Sequence, residues 1–110
     1  MSYEVIATPR FRRDIKKLIK KYLSLKKEYA QLINELEENP QQYGSPLGDN
    51  CYKIRISITS KGKGKSGGAR VITHIVVKEK TVFLLTIYDK SEKENISDKE
   101  LQELLNQLPE

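Results

Sequence analysis

One apolar stripe constrains this chain more than any other feature. Phe11, Ile15, Leu18, Tyr22, Leu25, Tyr29, Leu32 and Leu36 recur at spacings of three and four, which is one face of a helix. Thr8 and Pro9 form a start signal, with Thr8 as N-cap and Pro9 at the first helical position. Asn39-Pro40 is a stop. A single helix over that span would be roughly 45 Å long. A chain of 110 residues folds to a radius of gyration of about 13–14 Å. A rod of that length would leave much of its stripe uncovered. The spacing therefore predicts an αα-hairpin, broken near Leu23-Ser24, with Ser24 as the second N-cap.

The rest of the chain reads mostly as strands. Residues 3–7, YEVIA, are β-branched and aromatic, and predict a short first strand. Residues 40–50, PQQYGSPLGDN, carry turn chemistry throughout. In CYKIRISI, Tyr52, Ile54, Ile56 and Ile58 alternate with Lys53, Arg55 and Ser57, the period of a strand with one buried face. ARVITHIVV and TVFLLTIY are two further strands joined by KEK, which predicts an antiparallel hairpin. Their nearly continuous apolar character places them centrally in the sheet. Ser97 and Glu100 have capping-box spacing, ahead of Leu101, Leu104, Leu105 and Leu108 on a final helix. The expected architecture is α+β in the order β-α-α-β-β-β-α, as one domain over residues 1–110. Its small, mainly antiparallel sheet is packed by the αα-hairpin and the C-terminal helix.

Between the second and third of these strands lies KGKGKSGGARVI, residues 61–72. Gly62, Gly64 and Gly67 fit G-x-G-x-x-G, but a strand follows where a dinucleotide-binding loop needs a helix N-terminus for the pyrophosphate. Gly64-Lys65-Ser66 resembles a P-loop ending, yet Thr59 stands where its first glycine belongs. The stretch is read instead as a mobile hairpin tip carrying Lys61, Lys63 and Lys65.

Charge gives the first functional pointer. The net charge is +5, and it is unevenly spread. Residues 1–27 hold nine basic and two acidic side chains, and residues 51–70 hold six basic and no acidic ones. Two separate basic blocks favour a polyanionic partner, nucleic acid first. Arg12, Arg13, Lys16 and Lys17 lie in the first block, and the loop lysines lie in the second. One Cys and one His argue against a structural zinc site, and Cys51 has no partner for an internal disulfide. No apolar run reaches the length of a membrane helix, and the N-terminus lacks a signal-peptide pattern; the expectation is a cytoplasmic protein without membrane contact.

If the helices cover the Tyr52/Ile54/Ile56/Ile58 side of the sheet, the other side presents Lys53 and Arg55. Arg70 and His74 join them if parity follows. Fixed cations on a rigid sheet suit a phosphodiester, and they suit a transition state that gathers charge on phosphoryl oxygens. The commoner reading of such a face is plain solvation. His74 has the chemistry for proton transfer at neutral pH, though a lone His on a strand is more often structural.

The order of elements, with CYKIRI on one strand, SGGARVI entering the next and TIYDKSEKENIS after the last, resembles the RelE/ParE toxin superfamily. It is most similar to RelE-type and HigB-type mRNA interferases of type II toxin–antitoxin modules. The resemblance implies a cytoplasmic toxin that cuts messenger RNA on the ribosome without metal or cofactor, inhibiting translation. In that chemistry the ribose 2′-OH attacks the adjacent phosphate, leaving a 2′,3′-cyclic phosphate and a 5′-OH. By the same resemblance, Lys53 and Arg55 match the paired basic residues of the family's second strand, one of which helps to activate the 2′-OH. Arg70 matches the arginine that contacts the phosphate. Tyr88 and Lys90 fall where further catalytic side chains arise. RelE-like toxins can place a tyrosine near the start of the last helix; this chain has Ser97 there, leaving Tyr88 or His74 as substitutes. The basic first helix and the loop lysines would dock on ribosomal RNA. The implied partners are a cognate antitoxin containing a helix-turn-helix, the ribosome and mRNA, with operator DNA reached only through the antitoxin. A ParE-like gyrase poison without nuclease activity and a non-catalytic RNA-binding module of the same fold remain alternatives.

Overall fold

A computed structural model describes residues 2–61 and 67–108. Strand β1 spans Glu4–Ala7, helix α1 Pro9–Lys21 and helix α2 Leu25–Glu38. Four strands follow: β2 (Gly44–Gly48), β3 (Cys51–Ile56), β4 (Ala69–Val76) and β5 (Thr81–Asp89). Helix α3, Asp98–Asn106, closes the order. The five strands form one sheet in the order β1-β5-β4-β3-β2, with β1 parallel to β5 and every other pair antiparallel. The two most apolar strands, β4 and β5, are interior, as their composition predicts.

The helix signals act where they stand. The Thr8 hydroxyl accepts from the Phe11 amide at 3.2 Å and donates to the Leu84 carbonyl at 2.8 Å, so one residue caps α1 and fastens it to β5. The chain breaks between Lys21 and Leu25, and the Cα radius of gyration is 13.1 Å. Ser24 departs from the expected cap geometry. Its backbone is already helical and its hydroxyl makes no capping bond. It meets the Ser60 hydroxyl at 2.8 Å instead and so ties α2 to the turn at Thr59–Lys61. The Ser97/Glu100 capping box forms in full at the start of α3.

Two further features differ from the sequence reading. First, the turn-rich segment before β3 contains a strand. Asp49 and Asn50 both have positive φ, at 53° and 59°, which makes the tight two-residue turn joining β2 to β3. Pro46 is tolerated because β2 is an edge strand. Second, the helices do not all lie on one side. The αα-hairpin packs on Ile54, Ile56, Ile58, Val71, Leu84 and Ile87, forming the main core. Helix α3 lies on the opposite face, where Leu101 and Leu104 cover Cys51, Ile72 and Leu85. The polar face is therefore apolar at one end, and α3 seals that end. Among the described residues, Lys53, Arg55 and Arg70 stand toward the other end of that face.

Candidate active site

Strand register decides which side chains meet. Arg55 pairs with Arg70 across β3 and β4, and Arg70 pairs with Tyr88 across β4 and β5. Directly opposed residues share a face of the sheet. The three therefore form one row across three strands. Lys53 lies one pleat away on the same face, opposite Ile72. A cleft of about 180 Å³ opens over the Arg55–Arg70 pair, lined by Lys53, Arg55, Arg70, Lys90, Glu94 and Asn95. Four of the expected site residues thus converge.

Arg70 is almost fully buried and yet borders the cleft. Burial, then the neighbouring Arg55 charge, lowers its pKa from the ordinary arginine value. Its guanidinium donates to the Ala69 carbonyl at 3.1 Å. Lys53 donates to the Asn95 side-chain oxygen at 3.3 Å, which pins the connection between β5 and α3 over the strand. The Lys90 amide donates to the Gly68 carbonyl at 3.1 Å. A Cβ on Gly68 would lie 2.0 Å from the Ile56 carbonyl oxygen, so only glycine allows β4 to enter the sheet this close to β3.

Tyr88 reaches the row from the other side. Its hydroxyl is buried with no hydrogen-bond partner among the described residues. Burial raises its pKa, opposed by the Arg70 charge. The Lys93 ammonium sits over the ring, 5.5 Å from its centroid, and also pairs with Glu100. Tyr88 borders a second cleft of about 330 Å³ together with Arg10, Lys17 and Lys93.

Other expected residues are placed elsewhere. His74 lies four residues beyond Arg70 on β4, roughly 13 Å along the strand. It faces Cys51, with Nδ1 3.5 Å from Sγ, and does not line the cleft. Burial and then Asp49 push the Cys51 thiol up to about 11, so it is no nucleophile at neutral pH. Lys61 is turned inward. Its ammonium meets the Asp89 carboxylate at 2.6 Å, with both side chains buried. Asp89 also accepts from the Tyr22 hydroxyl at 2.8 Å and from the Ser91 amide and hydroxyl at 3.0 and 2.8 Å. Burial alone would raise this carboxyl, but these donors outweigh it and hold it well below the usual carboxylate range. Arg12, Arg13, Lys16 and Lys17 are exposed on the outer face of α1. Lys63 and Lys65 lie outside the described residues.

Sequence reading missed Glu94, Asn95, Gly68 and Asp89. Glu94 and Asn95 lie in an aperiodic polar connection, where no spacing tells which side chains turn inward. Asp89 ends a strand whose last inward position looks like the start of a loop.

The sheet order, the αα-hairpin and the helix sealing one end of the opposite face define the RelE-like α+β fold. Solved structures share it. A free-state variant of Escherichia coli RelE matches at a TM-score of 0.63 and 16% identity, covering 99% of this chain and 100% of that one. RelE in the intact E. coli RelBE toxin–antitoxin complex gives 0.61 and 18%, covering 80% and 96%. A chain of the Mycobacterium tuberculosis RelBE2 toxin–antitoxin complex gives 0.60 and 25%, covering 81% and 92%. The family profile described as the RelE toxin of the RelE/RelB toxin–antitoxin system matches residues 10–108. The chain belongs to the RelE family and is a toxin of a toxin–antitoxin system.

Proposed function

We propose that this toxin is a ribosome-dependent endoribonuclease that cleaves messenger RNA through attack of a ribose 2′-OH on the adjacent phosphate. One observation carries the reading: Arg55 and Arg70 stand side by side in a cleft that Lys53 and Lys90 complete. The cleft gathers four cations against one carboxylate, Glu94, and that excess of positive charge suits an anion. A phosphodiester supplies that anion, and the phosphorane formed on attack carries still more charge on the same oxygens. Arg70, fixed on a central strand, holds the scissile phosphate. Arg55 and Lys53 stabilise the charge that develops, and Tyr88 positions Arg70 from β5. The exposed basic face of α1 docks on ribosomal RNA, outside the cleft.

The proposed setting is the cytoplasm, with one functional unit over residues 1–110. A cognate antitoxin, a helix-turn-helix protein that carries the operator contact, would neutralise the cationic face. No helix among the described residues is long and apolar enough to cross a membrane. The test is to add the purified protein to a translating extract and map message 5′ ends. Codon-phased cuts that vanish with Arg70→Ala support the reading. Intact message in the presence of folded toxin refutes it.

A further inference from the structure

The proposed chemistry needs a group that takes the 2′-OH proton, and the residues singled out for the cleft are all cations or a tyrosine. A protonated lysine or arginine donates hydrogen bonds and has no lone pair to offer. Lys53 is further committed as a donor, since its ammonium points at the Asn95 side-chain oxygen at 3.3 Å. The Tyr88 hydroxyl is buried, and its pKa is raised further from neutrality by burial. His74 is absent from the cleft. One lining residue is different in kind. Glu94 brings a carboxylate into the same cavity as Lys53, Arg55, Arg70 and Lys90. It also borders the neighbouring cavity lined by Lys61, Lys90 and Lys93. Its neighbour Asn95 is the residue tied to Lys53, so the connection that carries Glu94 is anchored at the cleft mouth.

We propose that Glu94 is the general base, a role that rests on the endoribonuclease reading above. Its carboxylate takes the proton from the 2′-OH as the 2′-oxygen forms its bond to phosphorus. Arg55, Arg70 and Lys53 hold the phosphoryl oxygens. The bond from phosphorus to the 5′-oxygen breaks, and that oxygen leaves with a proton from the Lys90 ammonium at the same cleft. The products are a 2′,3′-cyclic phosphate and a 5′-OH. Glu94 is left protonated and Lys90 neutral, and both exchange with solvent. A side chain on a connection, rather than on a strand, can approach the ribose while the strand cations grip the phosphate. Asn95 is a positioning residue in this scheme, acting through Lys53.

The experiment compares wild type, Glu94→Gln, Glu94→Asp and Arg70→Ala on a ribosome-bound message. Binding is measured separately on the same message with a 2′-deoxyribose at the cut site. Glu94 is exposed, so its replacement does not threaten folding. The expected result is a loss of roughly 100-fold or more in single-turnover rate for Glu94→Gln, within the usual range for a general base. Binding of the 2′-deoxy message should be unchanged or tighter, and Glu94→Asp should restore part of the rate. Full-rate cleavage by Glu94→Gln, with Arg70→Ala inactive, overturns the base assignment and leaves the nuclease reading standing. Absence of cleavage by the folded wild type overturns both.

Discussion

Arg55 and Arg70 face each other directly across β3 and β4, two like charges in a cross-strand pair. Such pairs are destabilising, by an amount of order 0.2–1 kcal/mol. Here one member is also buried. A fold under selection for stability alone would not place them so. Arg55→Gln is therefore expected to raise stability by a few tenths of a kcal/mol in urea denaturation. The same change should lower message cleavage at least tenfold. A variant that is less stable and cleaves at the full rate would mean that the pair has a purely structural role.

The Tyr88 hydroxyl offers a second separation of stability from activity. It is buried and unsatisfied among the described residues, which costs about 1–3 kcal/mol relative to a paired hydroxyl. Tyr88→Phe removes the polar atom and keeps the ring over which Lys93 sits. We expect thermal stability to hold or rise, because no hydrogen bond is broken. If the hydroxyl meets the substrate, cleavage falls while the melting temperature does not. Equal rates for both proteins would confine Tyr88 to packing beside Arg70.

Gly68 fixes the entry to β4. Its missing Cβ leaves room for the Ile56 carbonyl, which would otherwise stand 2.0 Å away. Gly68→Ala must push one backbone off the other, and overpacking of this kind costs about 1–3 kcal/mol. The shift would fall two residues before Arg70, and it would disturb the Gly68 carbonyl that receives the Lys90 amide. A lowered melting temperature with a larger proportional loss of cleavage is the expected pair of results.

The fold was legible where residues repeat with a period. The stripe from Phe11 to Leu36, the alternation in CYKIRISI and the capping box at Ser97 each act locally, and each appears in the structure. Strand β2 was not legible, because GSPLG has no apolar alternation and its Pro46 reads as a turn. Only its pairing with β3 makes it a strand. The placement of α3 was not legible either, because the apolar run of β4 serves both faces. In the site, Lys53, Arg55 and Arg70 were readable because strand parity orients them. Glu94 and Asn95 were not, since a loop side chain's direction depends on the partner that pins it. Lys61 looked like a solvated loop cation, and Asp89, 28 residues on, draws it inward.

Asp89 sets an acid dependence of stability. Its carboxyl is held below the usual range in the folded protein by Lys61, Ser91 and Tyr22, against the upward push of burial. The unfolded chain has an ordinary aspartate near 3.9. Below that value the unfolded state binds a proton that the folded state resists, so stability falls as pH falls. The contribution is complete above about pH 5 and shrinks progressively beneath it. Asp89→Asn should cost about 3–5 kcal/mol at pH 7, because it leaves the Lys61 ammonium buried without its counter-charge. Urea titrations at pH 7 and pH 3.5 would show the gap between wild type and Asp89→Asn narrowing at the lower pH.

Helix α1 should control docking rather than chemistry. Arg12, Arg13, Lys16 and Lys17 are exposed on its outer face, and Lys17 also borders the cleft beside Tyr88. Cations that neutralise phosphates release counterions, so affinity falls steeply with salt. Replacing Arg12, Arg13 and Lys16 with glutamine should weaken ribosome binding and flatten its dependence on salt. Each phosphate left without its cation should reduce the log–log slope by roughly 0.7–0.9. The single-turnover rate on saturating ribosomes should stay within about twofold of wild type, because none of the three side chains lines the cleft that holds Arg70. A rate that collapses at saturation would place α1 in the catalytic step; an unchanged salt slope would remove it from the docking surface.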